Sequence, residues 1–135
     1  MITYLVDTSA LWHLFRTPGA LLPWEGHIAA GAFRICEPTR TEFLYSATGP
    51  AHRDELAGEL DALCDLSPVP KTAWRWADSA QYKLTQRGQH RAAGAIDLLV
   101  CATAVHHGHT VLHVDNDFAA VAAVLKEVRQ RDARA

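Results

Sequence analysis

Residues 2–9 read ITYLVDTS, and this stretch decides the fold. Its first five residues are apolar, β-branched or aromatic and stop on Asp7, which predicts a buried strand with an acid at its carboxyl end. Thr8 or Ser9 can then cap a helix over residues 10–16. Because ligands of open α/β sheets bind at the carboxyl ends of the strands, Asp7 is well placed for chemistry. Taken alone, Asp7 is explained equally well as a simple helix cap.

The same pattern returns near the end of the chain. Residues 110–114, TVLHV, predict a second buried strand, which Asp115 follows directly and Asp117 two residues later. Between the two strands, Asp97 stands at the start of a helix, residues 98–105, that is apolar almost all round and therefore central in the fold. Asp97 alone is again explained equally well as a cap, so the case for a site depends on these acids meeting.

A fourth acid lies on a predicted helix that Pro38 opens and that runs to about Thr48. Glu42 is about one turn inside it, followed by the core candidates Phe43 and Leu44. One face of this helix is therefore predicted to be apolar while Glu42 faces a cleft. A solvated position is the commoner fate of a single helical glutamate, and it remains the alternative here.

The rest of the chain alternates between helical and extended patterns. The predicted helices cover residues 21–30, 51–64, 73–84 and 118–124, and the predicted short strands cover 33–36 and 66–69. The last residues are too charged to assign. Trp12, Trp74 and Tyr82 lie off the apolar stripes. This position favours contacts with a partner protein, such as a second copy in a homodimer, or packing within a helix pair over base stacking.

Composition limits the class of protein. At 135 residues with 49% hydrophobic residues, the chain can bury the core of one domain, which we predict to span residues 1–135. Its 13 basic and 15 acidic residues give a net charge of −2, so any basic surface for nucleic acid must be local. Three widely spaced cysteines indicate neither a disulfide framework nor a zinc site. No apolar run approaches the roughly 20 residues that span a bilayer, and we expect a cytoplasmic protein without a membrane partner.

Three independent elements thus bring Asp7, Asp97 and Asp115 toward one edge of a parallel sheet. Uncompensated carboxylates that lie close together repel, so such a cluster is stable mainly when a divalent cation neutralises it. Oxygen-only ligands indicate Mg²⁺ or Mn²⁺. A metal held in this way can activate a water for attack on a phosphodiester, which predicts a metal-dependent nuclease.

Basic and histidine-rich segments are candidates for other roles. Residues 87–94, RGQHRAAG, form the best local basic patch and immediately precede the Asp97 helix. We predict that Arg87, Arg91 and Arg40 contact RNA phosphates at the acidic cleft. The histidines of residues 106–109 have irregular spacing for a metal and suit a helix carboxyl end instead.

Four segments resemble the PIN-domain family, and more narrowly the VapC-type toxins of bacterial toxin-antitoxin pairs. They are LVDTS at 5–9, TRTEF at 39–43, AIDLLVCATA at 95–104 and TVLHVDNDF at 110–118. The resemblance implies a PIN-like three-layer α/β/α fold with a central, mostly parallel sheet, and a Mg²⁺- or Mn²⁺-dependent endoribonuclease neutralised by a VapB-like antitoxin. The resemblance also implies the site residues, of which the principal acids are Asp7, Glu42, Asp97 and Asp115. Thr8 or Ser9 would support Asp7, and Asp117 would be an accessory metal ligand.

Three other functions fit parts of the sequence. A phosphatase with an aspartyl nucleophile requires a second acid two residues after the first, and at that position this chain has Ser9. A phospho-accepting receiver domain requires paired acids near the first strand, where this chain has the single Asp7. It also requires a lysine after a late strand, where this chain has Asn116. A catalytically silent PIN-fold interaction module would keep the acids for structure alone. Loss of activity on removing Mg²⁺ separates the nuclease from the silent module.

Overall fold

Five short strands form one sheet in the order β3-β2-β1-β4-β5, and all neighbouring pairs are parallel. The structure is a computed structural model that describes all residues, 1–135. The strands are β1 (Tyr4–Val6), β2 (Phe33–Ile35), β3 (Asp65–Leu66), β4 (Thr110–His113) and β5 (Gln130–Asp132). This order differs from the 2-1-3-4-5 order of receiver domains, which excludes that alternative.

Seven helices and a 3₁₀ turn, Leu22–Trp24, connect the strands. Proline near the amino ends of the third and fourth helices starts each without loss of a helical hydrogen bond. Gly108, at φ 75°, ends the sixth in the left-handed conformation that glycine adopts most readily. The helices are α1 (Thr8–Arg16), α2 (Glu25–Ala29), α3 (Glu37–Leu44), α4 (Pro50–Leu63), α5 (Ala73–Gln86), α6 (Ala95–His107) and α7 (Asn116–Val124).

The two faces of the sheet bury two separate apolar layers. Along β1, Tyr4 and Val6 point into one layer and Leu5 into the other, as the two-residue period of a strand requires. The first layer is completed by side chains of α1, α3 and α4, and the second by side chains of α5, α6 and α7. The predicted three-layer α/β/α architecture with a parallel central sheet is confirmed.

Two predicted helices were too long. The helix predicted over residues 21–30 is observed as a 3₁₀ turn around Pro23 that continues directly into a helix of only five residues. In that turn Trp24 is buried, with its ring centroid 5.4 Å from that of Tyr4. The helix predicted to reach Thr48 ends at Leu44, since the chain must turn and extend before Pro50 starts α4.

The strand at the carboxyl terminus was missed. Residues 130–132 read QRD, which has no apolar pattern, yet they pair with β4 at the edge of the sheet. Backbone hydrogen bonds hold this strand, while the flanking Val128 and Ala133 are buried. The predicted strand over residues 66–69 contracts to Asp65–Leu66, because the prolines at 68 and 70 carry no N–H for a longer ladder.

The predicted aromatic anchors divide into two groups. Trp74 and Tyr82 are 63% and 66% exposed, as their off-stripe positions predicted. Trp12 instead packs on the core, with its ring centroid 4.5 Å from that of Phe43 and Arg16 stacked over it at 4.1 Å. Trp12 is therefore half-buried on the core, and its role as an anchor for a partner stays a prediction.

The three cysteines are free and buried, as their number and spacing predicted. Burial raises the pKa of Cys64 to about 12 and raises the pKa of Cys36 and Cys101 as well, so the thiols stay protonated. None of the seven helices combines the length and apolar character needed to span a bilayer.

Candidate active site

The candidate site lies where the strand order of the sheet reverses. Chain connections run from β1 outward to β2 on one side and return to β4 on the other, which leaves a crevice outside the carboxyl ends of β1 and β4. Asp7 directly follows β1, and Asp115 stands two residues after the end of β4. Both acids therefore flank the position at which parallel α/β sheets bind their ligands.

Each of the three aspartates caps a helix. Asp7 and Asp115 are the N-cap residues of α1 and α7, and Asp97 lies in the first turn of α6. The backbone hydrogen bonds run from Ser9 N to Asp7 Oδ2 (3.0 Å), from Asp117 N to Asp115 Oδ1 (3.0 Å) and from Gly94 N to Asp97 Oδ2 (3.2 Å). The capping alternative is correct for all three, but each cap occupies one carboxylate oxygen and leaves the other for a further ligand.

The charges of the predicted acids act on one another across the crevice. Burial, together with the nearby charges of Asp7, Asp115 and Glu42, raises the pKa of Asp97 to about 6. Burial, with repulsion from Glu42, also raises the pKa of Asp7, against the lowering effect of the Ser9 hydrogen bonds. The structure thus brings all four principal acids within electrostatic range, as predicted.

Asp117 behaves differently from these four acids. It is exposed, and its charge is not among those that raise the pKa of Asp97 or Asp7. Its recorded contact at the site is the backbone N–H that it donates to Asp115. The structure therefore places Asp117 at the rim, and its role as a metal ligand stays a prediction.

The donor chemistry of the cluster fits a hard divalent cation. All four acids offer oxygen ligands, and none of them forms an ion pair with a lysine or arginine, because the ion pairs in the chain are Arg40–Asp61 and Arg134–Asp132. In addition, the buried Thr8 Oγ1 beside Asp7 has no hydrogen-bond partner. No three Asp, Glu, His or Cys side chains converge into a preformed metal site. The fit therefore lies in the chemistry of the donors and their unneutralised charge.

Two further side chains hold the acids in place. Ser9 Oγ donates to Asp7 Oδ2 at 2.7 Å and accepts from Val114 N at 3.1 Å, which ties the ends of β1 and β4 together. Of the two predicted supports, Ser9 makes this contact, whereas the Thr8 hydroxyl makes none. Ser9 therefore links the carboxylate of Asp7 to the backbone that follows β4, in addition to the backbone hydrogen bond from Asp7 N to Leu112 O.

A buried histidine supports Asp115 from the other side. His113 Nδ1 accepts from Asp115 N at 3.0 Å, so Nε2 carries the proton and donates to Gln130 Oε1 at 2.6 Å. Sequence reasoning missed Gln130, because it lies on β5, a strand with no apolar pattern. The only sequence signal for His113 was its place one residue before Val114 and two before Asp115.

The arginines predicted to bind RNA are exposed to different degrees. Arg87 and Arg91 are exposed in the segment between α5 and α6 and make no ion pair. Arg40 is half-buried and paired with Asp61 of α4. Arg40 is therefore held by another side chain, whereas the other two are free to meet a phosphate.

The histidine-rich segment takes no part in the acidic site. Both ring nitrogens of His109 are hydrogen-bonded, and His107 Nε2 lies 2.8 Å from the carbonyl oxygen of Pro68. Burial, with the nearby positive charges, lowers the pKa of His109 to about 4. These contacts agree with the structural explanation of this segment.

Comparison with known proteins places the chain in a family. The PIN domain model matches residues 4–124. Ribonuclease VapC6 of Mycobacterium tuberculosis is 37% identical over 115 residues, which cover 85% of this chain and 91% of that protein. Ribonuclease VapC18 of the same organism is 34% identical over 125 residues, which cover 91% of this chain and 90% of that protein.

Solved structures agree on the fold. A DNA-bound VapBC from Salmonella typhimurium superimposes with a TM-score of 0.76 at 14% identity, over 98% of this chain and 99% of that one. VapBC2 from Rickettsia felis, bound to a promoter DNA fragment, gives 0.76 at 14% identity, over 97% and 98% of the two chains. At such identity these structures support the fold, while the family rests on the sequence matches. This chain belongs to the PIN-domain family and, within it, to the VapC ribonucleases.

Proposed function

We propose that this protein is a Mg²⁺- or Mn²⁺-dependent endoribonuclease, a toxin that cleaves cellular RNA and is neutralised by a VapB-like antitoxin. The observation that carries the proposal is the repulsion of Asp97 by Asp7, Glu42 and Asp115 at the reversal point of the sheet. An acidic cluster without a protein cation costs stability unless an external cation neutralises it. The names of the VapC ribonuclease relatives support the same activity.

The chain's own residues divide the work of this site. Asp7, Asp97 and Asp115 would hold the metal, with Asp117 as an accessory ligand, and Glu42 completes the acidic site. A bound divalent cation would lower the pKa of a water and stabilise negative charge on the phosphodiester. Ser9 and His113, described above, keep Asp7 and Asp115 oriented, so little rearrangement is needed when substrate binds.

The substrate must overcome the negative charge of the cleft. RNA phosphates are repelled by the four carboxylates unless basic side chains lie nearby, and the net charge of −2 supplies no general attraction. We assign this task to Arg87 and Arg91, which are exposed and unpaired beside α6, and to Arg40 on the helix of Glu42.

The same charge explains a protein partner. A strongly negative cleft attracts an arginine or lysine from the tail of an antitoxin, which would block access to the acids. The structural neighbours from Salmonella and Rickettsia are VapBC complexes, which supports a partner of this kind. We further propose that the protein is one domain over residues 1–135, acts in the cytoplasm, and uses the exposed Trp74 or Tyr82 in a homodimer contact.

Replacement of one acid tests the nuclease. In Asp97→Asn, cleavage of RNA with Mg²⁺ present should fall by about a hundredfold or more, because the site loses a metal-binding charge. The fold should persist, since the change also relieves repulsion in the metal-free protein. Gel analysis of RNA cleavage, with and without EDTA, measures the activity, and circular dichroism measures the fold.

The matched control is Asp54→Asn, which removes an exposed carboxylate from α4 and should cleave like wild type. Cleavage by Asp97→Asn at the wild-type rate would refute the site. A wild-type protein that cuts no RNA with Mg²⁺ present, but still binds its antitoxin, would instead be the silent interaction module. Undiminished cleavage in a purified complex with the antitoxin would refute neutralisation while leaving the nuclease intact.

A further inference from the structure

A cavity of about 270 Å³ lies between α3 and α4. Its lining residues are Arg40, Thr41, Leu44, Tyr45 and Arg53, so both of its charged side chains are positive. Tyr45 is 90% exposed, which is an uncommon position for an aromatic ring that has no partner in the chain. The cavity thus combines two guanidinium groups with an open aromatic face.

The α3–α4 pocket adjoins the acidic site along a single helix. Tyr45 follows Glu42 by three residues at the end of α3, and residues three apart are neighbours on a helix surface. Helix α3 also packs against α6, which carries Asp97. The pocket and Glu42 therefore lie on neighbouring surfaces of α3.

The charge of the pocket is opposite to that of the acidic site. One guanidinium nitrogen of Arg40 donates a hydrogen bond to Asp61. This contact holds the guanidinium group at the pocket and leaves its other N–H donors without a partner. Arg53 forms no ion pair and is exposed. Two arginines and one paired aspartate leave a positive pocket beside four carboxylates.

We propose that the α3–α4 pocket binds one nucleotide of single-stranded RNA beside the acidic site, an inference that rests on the proposed function. Arg40 and Arg53 bind its phosphate through charge-assisted hydrogen bonds, and its base stacks on Tyr45. A basic antitoxin tail suits this pocket poorly, because its arginines repel a positive segment. The charge of the pocket therefore favours the RNA substrate as its occupant.

Binding measurements separate the phosphate from the base. The probe is a fluorescein-labelled, mixed-sequence, single-stranded RNA, measured by anisotropy over a NaCl series in an Asp97→Asn background that prevents cleavage. Arg53→Ala should lower the slope of log K against log salt by about 0.7, the value for one single-strand phosphate. Arg53→Lys should keep the slope, because it keeps the charge.

Tyr45→Ala should weaken binding by about fivefold to a hundredfold with an unchanged salt slope, because stacking releases no counterions. Tyr45→Phe should bind like the parent, because the ring remains. The matched control on α5, Arg75→Ala, removes an exposed cation outside the pocket and should leave binding near that of the parent.

Failure of the subsite can be told apart from failure of the nuclease. If wild type cleaves RNA but Arg53→Ala and Tyr45→Ala bind with parental affinity and slope, the pocket is not an RNA subsite. If those variants keep RNA binding but lose the complex with the antitoxin, the pocket belongs to the antitoxin and the proposal is wrong. If wild type neither binds nor cleaves RNA, the proposed function is wrong, and the subsite proposal, which rests on it, is wrong as well.

Discussion

Polar groups at the two ends of the central strands differ in whether they have partners within the protein. Beside the amino ends of β1 and β4, His109 pairs with Thr3 Oγ1 at 2.5 Å and with Ser67 Oγ at 2.8 Å, so every ring nitrogen has a partner. At the carboxyl ends, Asp7 is buried and Asp97 half-buried beside like charges without a basic partner. The first arrangement satisfies its polar groups within the protein, whereas the second leaves like charges that no basic side chain neutralises.

The difference predicts opposite dependences of stability on pH. The pKa of His109 falls from 6.5 to about 4, so the unfolded chain binds more protons between these values and this group stabilises the fold as pH rises. The pKa of Asp97 rises from 3.8 to about 6, so the folded chain binds more protons and this group destabilises the fold as pH rises from about 4 to 6. The two regions therefore oppose one another in one pH window.

The largest expected effect comes from breaking the histidine network. In His109→Leu, the buried Ser67 hydroxyl loses its partner, so the free energy of unfolding at pH 7.5 should fall by about 1–3 kcal/mol. The part of the stability gain between about pH 4 and 6.5 that His109 contributes should also disappear. Urea denaturation at pH 4.5 and 7.5 measures both effects, and RNA cleavage at a temperature where the variant is folded should equal that of wild type. Unchanged stability at pH 7.5 would show that the network is not structural.

Metal addition tests the other end of the strands. At tenfold excess over its dissociation constant, Mg²⁺ should raise the Tm at pH 7.5 by about 4 °C, because it binds only the folded acidic site. At pH 5 the rise should be smaller, since protons compete for Asp97. Differential scanning fluorimetry with MgCl₂, against NaCl of equal ionic strength, gives the comparison. Asp97→Asn should lose most of the Mg²⁺ effect, and an undiminished shift in that variant would place the metal elsewhere.

A smaller effect is expected where the two strand ends are joined. Ser9→Ala removes the hydroxyl between Asp7 Oδ2 and Val114 N, which should cost about 1 kcal/mol of unfolding free energy. The same hydrogen bond lowers the pKa of Asp7, so its loss should move the acid limb of the cleavage profile to higher pH. A cleavage series from pH 5 to 9 measures the shift, and Ser9→Thr, which keeps a hydroxyl, is the control. Identical profiles for the alanine variant and wild type would remove Ser9 from the site.

The smallest effect concerns exposed charges. Arg87→Ala with Arg91→Ala should lower the salt slope of RNA binding by about 1.4 in total, because two phosphate contacts are lost. Affinity near physiological salt should fall only a few-fold, since exposed pairs are well screened. Anisotropy over a salt series measures both quantities. A slope equal to that of the parent would show that RNA does not pass over the segment between α5 and α6.

Local sequence determined the elements and the acids at their ends. The apolar runs before Asp7 and Asp115 predicted strands with acids at their carboxyl ends, and the apolar helix after Asp97 predicted its central position. These predictions succeeded because the apolar pattern of a short segment is enough to predict that the segment is buried. Helix lengths succeeded less well around Pro23 and beyond Leu44, where packing of Trp24 and the turn before α4 decided the ends.

Tertiary structure alone decided how those elements meet. β5 is held by backbone pairing with β4, so its sequence, QRD, needs no apolar pattern. Gln130 on this strand accepts a hydrogen bond from His113, whose other ring nitrogen accepts one from Asp115 N. The hydrogen bond between Ser9 and Val114 joins residues 105 positions apart, and the α3–α4 pocket joins Tyr45 to Arg53 across a turn. Sequence patterns report which face of an element is buried, whereas these contacts depend on which elements become neighbours. The identity of the acids was therefore written in the sequence, and their shared environment was decided by the folded sheet.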